Sequence, residues 1–255
     1  FELTEILRSN DSVAELASMV RKGVSMNNLS ALNLVTRADG LSIEDAIREN
    51  YETFLNAGTV VTFKNKNVNK FNEILRDMHG IHGNLSVGDR LVCTQNVYGA
   101  GDKNGSFRNG ELLEVTAVGD GCSAIASDIK KLEAKAQSAP ATSEIHTILG
   151  HVYAGHLIGA QVINKMGDVK TLFTWSHTAT VSRNKRELHE KILNEGDDVA
   201  SPAVPTSFAY ALTVHKAQGS EWENVVYYTT KRDLAIQKTT NAPYNAVTRA
   251  KSKID

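Results

Sequence analysis

This chain has few cysteines and no large excess of positive or negative charge. The two cysteines among 255 residues, Cys93 and Cys122, lack the spacing of a metal site and cannot supply a disulfide framework. This predicts a reduced, cytoplasmic setting. A formal net charge of −1 excludes a uniformly basic protein that coats nucleic acid, but it leaves room for a local basic groove. No apolar run approaches transmembrane length and no signal peptide is visible, so no membrane partner is expected.

Two further kinds of site are missing from the sequence. No Gly-x-x-x-x-Gly-Lys-Ser/Thr loop, which would hold nucleotide phosphates, occurs anywhere, and the glycine-rich segment 99–105 is interpreted as a β turn. His79 and His82 have no set of cysteine or carboxylate neighbours, so no metal site is predicted. The chain begins at Phe1 rather than at methionine, and we expect it to be a fragment of a longer protein.

Both ends of the chain alternate between helical and strand-like patterns. Apolar spacing predicts helices from residues 10–12 to 22, over 42–55 and over 67–78. Short strands are predicted over 1–7, 59–63, 208–213 and 225–229. This alternation is typical of a parallel α/β sheet flanked by helices.

The middle of the chain has a mostly β pattern. Strand-like runs are predicted over 89–96, 107–118, 151–158 and 170–173, with a charged helix over 183–193. A polar tract rich in serine and alanine, 133–144, is predicted to be mobile. We therefore expect an α/β domain formed by 1–85 and 203–255, split by an insertion over 86–202 that has room for an extended arm.

Two stretches near the C-terminus give the strongest functional signal. Residues 210–222 read Tyr-Ala-Leu-Thr-Val-His-Lys-Ala-Gln-Gly-Ser-Glu-Trp, and residues 244–251 read Tyr-Asn-Ala-Val-Thr-Arg-Ala-Lys. In this order they resemble the last two signature motifs of superfamily 1 helicases. Weaker stretches in matching order, at 3–10, at 62–72 and at 87–90 with 107–111, extend the resemblance to the Dda/RecD-like group.

The resemblance implies the second RecA-like motor domain of an ATP-dependent DNA helicase, with a small β-barrel inserted into its sequence. It also implies single-stranded DNA as a partner, and ATP with Mg²⁺ in a cleft shared with an N-terminal RecA-like domain of the same chain. In the family the phosphate loop and the acidic magnesium motif belong to that first domain. This part alone is therefore expected not to hydrolyse ATP.

Five residues are predicted to contact nucleic acid. A strand that ends in hydroxyl, imidazole and amide groups next to a glycine can bring side chains and backbone N–H groups to phosphates. The resemblance assigns this contact to Thr213 and His215, and Lys216 of the same cluster is predicted to join them. Lys64 and Asn65 stand where the family has a Thr-Asn pair, at the start of a predicted helix. A solvated charged face is the alternative interpretation of the lysines around Lys64.

Five residues are predicted on the nucleotide side. A guanidinium is a permanently charged fork that suits phosphate oxygens, and the resemblance places Arg249 and Arg8 at the γ-phosphate. Gln218, Gly219 and Glu221 lie toward the nucleotide in the same scheme. The alternatives are a surface arginine at a helix end for Arg249, and a salt bridge with Asp11 for Arg8.

Two other functions remain open at the level of sequence. One is a non-catalytic module that binds single-stranded nucleic acid and keeps the helicase scaffold, whose affinity would ignore ATP. The other is an RNA-directed helicase, which a comparison of deoxy and ribo strands would separate, since they differ along the backbone at the 2′-hydroxyl.

Overall fold

The computed structural model describes residues 11–24, 41–98, 106–177, 180–195, 199–230, 233 and 241–254, and these form two units. The first unit contains the described residues up to Gly80 and from Ala209 onward, and the second runs from Ile81 to Phe208. The predicted strand over 1–7, Arg8 and the predicted turn over 99–105 lie outside the described residues.

The described residues form helices and strands in both units. In chain order the helices are α1 Asp11–Arg21, α2 Ile43–Glu49, α3 Tyr51–Leu55, α4 Asn65–Met78, α5 Ser123–Ser138, α6 Glu144–Tyr153, α7 Arg183–Glu195, α8 Val214–Ala217 and α9 Ala242–Val247. The strands are β1 Thr59–Thr62, β2 Arg90–Cys93, β3 Leu112–Val118, β4 Leu157–Asn164, β5 Val169–Trp175, β6 Thr206–Phe208, β7 Ala211–Thr213, β8 Trp222–Tyr228 and β9 Ala250–Ile254.

The first unit is built on a parallel sheet with the strand order β7–β1–β8–β9. All residues of β1 are buried, because β7 and β8 flank it and α4 packs against it. Phe71 of α4 is fully buried, and its ring lies 5.7 Å from that of Phe54 and 5.0 Å from that of Tyr228. These aromatic contacts fix α4 on the sheet.

The second unit is a small antiparallel barrel. Its strands follow the order β5–β4–β3–β2–β6. The segment before β6 returns to β5, where Val204 N–H donates to Phe173 O at 2.7 Å and Phe173 N–H donates to Pro202 O at 2.8 Å. These bonds join the two ends of the sheet around a buried interior that includes Leu91, Phe107 and Leu172.

Helices α5, α6 and α7 contribute to a second apolar core on the outer face of the barrel. Ile125 and Ile148 pack there with Leu157 and Phe173 from the strands. Gly159 of β4 allows the closest approach, because a Cβ at this position would lie 2.2 Å from Ile125 Cγ2. The absence of a side chain at residue 159 therefore determines how near α5 comes to the barrel.

The predicted fold class is confirmed: a parallel sheet flanked by helices is accompanied by a barrel-like antiparallel insertion. The predicted strand over 151–158 is wrong in its first half, because Tyr153 ends α6 and the chain turns at Gly155, whose φ is +66°. The tract predicted to be mobile is also wrong at its start, since α5 continues to Ser138.

The predicted helix over 42–55 is two helices that meet at Asn50. The Asn50 backbone and side-chain N–H groups both donate to Ala46 O, which ends α2. Tyr51, which begins the second of these helices, is 46% exposed. Among the described residues, no helix combines the length and the apolar character needed to cross a membrane.

Candidate functional site

Two predicted nucleic-acid segments lie side by side at the carboxyl edge of the parallel sheet. Strands β1 and β7 are paired in register, so that Thr62 and Thr213 are neighbours. Asn67 Nδ2 donates to Thr62 Oγ1 at 3.3 Å on one strand, and Lys216 N–H donates to Thr213 Oγ1 at 3.3 Å on the other. The structure thus brings together the start of α4 and the start of α8.

Thr213 fixes the short helix α8. Its backbone is still extended, with φ −73° and ψ 155°, and its hydroxyl caps the helix. Val214 and Ala217 are buried, whereas His215 and Lys216 are exposed. The buried pair anchors the turn to the sheet, and the two polar side chains therefore face solvent at the edge where β7 ends.

Lys64 and Asn65 lie at the end of β1. Lys64 is the extended residue before α4, and Asn65 is the first exposed residue of that helix. Lys64 Nζ is 2.5 Å from Asp233 Oδ1; the lysine side chain is 43% exposed, whereas the aspartate is fully buried. Lys64 therefore reaches the predicted interface already paired with an acid.

Sequence reasoning missed Asp233. Burial acts to raise the pKa of its carboxyl, but hydrogen bonds from Lys64 and Thr230 outweigh burial and hold this pKa below its ordinary value. The carboxylate is consequently charged at neutral pH. Nothing in the local sequence marks this residue, because its role comes from a contact with a distant part of the chain.

Arg249 lies at the opposite, amino edge of the sheet. Strands β8 and β9 begin together there, with Trp222 opposite Ala250, and Trp222 N–H donates to Arg249 O at 3.0 Å. Because β8 extends by about 3.3 Å per residue, this edge is about 20 Å from the one where Thr213 lies. Thr213 and Arg249 are therefore at opposite edges of the same sheet.

The guanidinium of Arg249 is held by its own chain. Its Nη1 donates to Ser220 O at 3.2 Å, its Nε donates to Asn245 O at 3.1 Å and its Nη2 donates to Thr248 Oγ1 at 3.1 Å. Arg249 thus lies against the turn that contains the predicted Gln218, Gly219 and Glu221.

That turn has a defined shape. Gly219 has a φ of +86°, a conformation that favours glycine, and both Gln218 and Gly219 are exposed. Glu221 forms an ion pair with Lys251 at 3.0 Å. Arg8, the other arginine predicted at the nucleotide, lies outside the described residues, so its position relative to this turn stays a prediction.

A short connection joins the two edges. The chain leaves the carboxyl edge at Thr213, passes through α8 and the turn at Gly219, and starts β8 at Trp222 on the amino edge. Residues 208–254, which include this connection, match a family described as the UvrD-like helicase C-terminal domain. Over these residues the chain is similar to that family, and we refer to them as the helicase segment.

The helicase segment contains most of the predicted site residues. It spans β7, α8, β8, α9 and β9, so Thr213, His215, Lys216 and Arg249 all belong to it. The predicted resemblance to superfamily 1 helicases is confirmed by this match. Lys64 and Asn65 lie outside the segment and are brought to it by the pairing of β1 with β7.

Several solved structures have a similar arrangement. Pif1 helicase from Bacteroides in complex with ADP-AlF3 and single-stranded DNA is 18% identical with a TM-score of 0.49, over 100% of this chain and 51% of that one. Pif1 helicase from Candida albicans is 14% identical with a TM-score of 0.44, over 98% and 55%. This chain spans about half the length of each. Because both TM-scores are below 0.5, these similarities carry no argument about function. No curated protein matches the sequence of this chain.

Proposed function

We propose that this chain is part of an ATP-dependent DNA helicase of superfamily 1, of the Dda/RecD-like group, and supplies its second RecA-like motor domain. The observation that carries this proposal is the connection from Thr213 to Trp222, which links the two edges of the sheet within the helicase segment. A motor needs such a link, because a change at the nucleotide must alter the grip on the strand.

Single-stranded DNA binds, in this proposal, at the carboxyl edge. His215 and Lys216 are exposed there, and the capped start of α8 holds them beside the start of α4. Asn65 adds an exposed amide on the neighbouring strand end. These groups suit contacts to phosphate and sugar, which position a strand without reading its sequence.

ATP binds at the amino edge, between this unit and an N-terminal RecA-like domain of the same chain that holds most of the nucleotide and its Mg²⁺. Arg249 at present donates to carbonyl and hydroxyl oxygens. A γ-phosphate would replace these neutral acceptors with charged ones, which form stronger hydrogen bonds with a guanidinium. Arg8 joins it, and Gln218, Gly219 and Glu221 line the same side.

The experiment is strand-stimulated ATP hydrolysis by the parent protein, wild type against Arg249→Ala, with this chain alone as a control. We expect the variant to retain nucleotide binding and to lose at least about a hundredfold in turnover, because it lacks the charge that stabilises the transferred group. Wild-type turnover in the variant, or hydrolysis by this chain alone, would contradict the shared site.

A second candidate function is a non-catalytic module that binds single-stranded nucleic acid. It is favoured by the three hydrogen bonds that keep the Arg249 guanidinium within its own chain. If the parent protein binds single-stranded nucleic acid equally well with and without ATP, this result would support the non-catalytic module over the motor. A preference for ribo over deoxy strands of equal sequence would instead indicate an RNA-directed helicase.

A further inference from the structure

The ion pair of Lys64 and Asp233 differs from the ion pair that Lys70 of α4 forms with Glu44. Lys70 Nζ is 3.1 Å from Glu44 Oε1, and that carboxylate is 49% exposed. Lys64 Nζ is 2.5 Å from a carboxylate with no exposed surface. Water screens the first pair, whereas the second has its negative charge inside the protein, where screening is weaker.

The pair lies at the predicted nucleic-acid interface. Lys64 follows Thr62, which is the in-register neighbour of Thr213 and of Tyr228. Thr230 Oγ1 accepts the backbone N–H of Asp233 at 3.1 Å, which holds the acid near the end of β8. The acid therefore reaches Lys64 from the end of β8, and 43% of the lysine side chain remains exposed to solvent.

We propose that Asp233 neutralises Lys64 and thereby weakens the binding of phosphate at the carboxyl edge of the sheet. This inference rests on the proposed function, because it assigns a regulating residue to the same single-strand interface. A strand phosphate that approaches the exposed side of Lys64 meets an ammonium whose charge is already balanced. It is also repelled by the carboxylate behind that ammonium.

Weak binding at this point suits a protein that steps along a strand. Every phosphate contact that neutralises a lysine adds to affinity and must be broken before the protein can advance. A buried acid limits one such contact permanently, without removing the lysine. The strand is then held mainly by His215 and Lys216 of α8, the helix that leads into the turn contacted by Arg249.

The test measures the binding of a fluorescent oligothymidine to this chain by anisotropy, over a range of NaCl concentrations. Asp233→Asn keeps the shape of the side chain and removes its charge. We expect Kd to fall about three- to tenfold, from the loss of repulsion at a distance of ~5 Å. We also expect the slope of log K against log salt to become steeper by about 0.7, since one more phosphate charge is neutralised.

The matched control is Glu44→Gln, which removes the acid of the exposed Lys70 pair. We expect it to change Kd by less than about twofold, because solvent already screens that carboxylate. The double variant Lys64→Gln with Asp233→Asn leaves no charge at the site. Its Kd should equal that of the wild type, and thermal unfolding checks that each variant is folded.

The outcomes separate this inference from the proposed function. An unchanged or weaker affinity of folded Asp233→Asn, with the wild type binding normally, would overturn the inference alone. A double variant that binds much more weakly than the wild type would also overturn it, since Lys64 would then be a net phosphate contact. If the wild type does not bind the oligonucleotide at any salt concentration, the proposed function fails and the inference fails with it.

Discussion

At the scale of single residues, Thr213 has two roles that a substitution can separate. Its hydroxyl caps α8, and it ends the strand that faces Thr62. We expect Thr213→Ala to lower the free energy of unfolding by about 1 kcal/mol, because an orphan helix N–H group loses its acceptor. We expect it also to weaken single-strand binding, since His215 and Lys216 lose their fixed position. Urea denaturation and oligonucleotide anisotropy measure the two effects.

The control for this prediction is Thr213→Ser, which keeps the hydroxyl oxygen and removes only a methyl group. It should retain most of the stability and most of the strand affinity. Wild-type stability in Thr213→Ala would show that the 3.3 Å bond to Lys216 N–H contributes little.

At the residue level, a shared location can be predicted from sequence where the signal is local. Thr213 and His215 belong to one contiguous motif, so their shared location did not depend on knowing the fold. The partner of Lys64 could not be predicted in this way, because Asp233 approaches it only after β1 and β8 have paired. The bonds of Arg249 to Ser220 O and Asn245 O likewise depend on where β8 and β9 begin.

At the scale of elements, the contact of α5 with the barrel depends on Gly159. We expect Gly159→Ala to destabilise the protein by about 1–3 kcal/mol, because its Cβ would overlap Ile125 Cγ2. Combining it with Ile125→Ala should remove most of this additional cost, since the overlapping atoms are then absent. Thermal denaturation of the wild type, the two single variants and the double variant measures the coupling.

Gly150 of α6 provides the comparison for that prediction. No atom lies within 4 Å of a Cβ built there. Gly150→Ala should be neutral or stabilising by up to about 1 kcal/mol, as for other exposed helix positions. Equal effects of alanine at residues 150 and 159 would contradict the packing argument.

His151 of α6, which lies in a cluster with His156 and with His189 of α7, is expected to make the second unit sensitive to acid. The rings of His156 and His189 lie 5.6 Å and 5.4 Å from the ring of His151. Burial, followed by the charges of His189, His156 and Lys185, lowers the pKa of His151 below its ordinary value. The unfolded chain therefore binds this proton more readily than the folded protein does.

Stability should accordingly be complete above pH 6.5 and should decrease as the pH falls below that value. Thermal unfolding across this range measures the slope. His151→Gln should reduce the slope. An identical pH profile in His151→Gln would rule out this residue as the source.

Element-level prediction worked for regular patterns and failed for short apolar runs. The alternation around β1 and α4 was clear, because a buried strand is followed by a strongly amphipathic helix. The run from His151 to Ile158 has apolar residues at spacings that fit either a helix or a strand. Packing of α6 on the barrel favours the helix up to Tyr153, and the local sequence does not show that contact.

At the scale of the whole molecule, the insertion leaves and re-enters the first unit at neighbouring points. The rings of His79 and Tyr210, on either side of it, are 5.6 Å apart. We expect a variant in which a short Gly/Ser linker replaces residues 81–208 to keep the parallel sheet folded, because a linker of a few residues spans this gap. Circular dichroism and cooperative thermal unfolding measure the result.

The control for the linker variant is the same replacement with Phe71→Ala, which removes a fully buried ring of the sheet unit. It should unfold at a clearly lower temperature, as loss of a core aromatic costs about 3–5 kcal/mol. A linker variant without cooperative unfolding would show that the sheet depends on the insertion.

The order of synthesis adds a consequence of the position of β1. This central strand is made before its neighbours β7 and β8, and Thr59 bonds to Tyr210 across 151 residues. At ~5–20 residues per second, a ribosome needs about 8–30 s to supply those neighbours. During that interval the barrel can complete its own hydrogen bonds while β1 has none of its sheet partners. A nascent chain of this protein therefore exposes its most buried strand for longest, which makes β1 the segment where chaperones would act first.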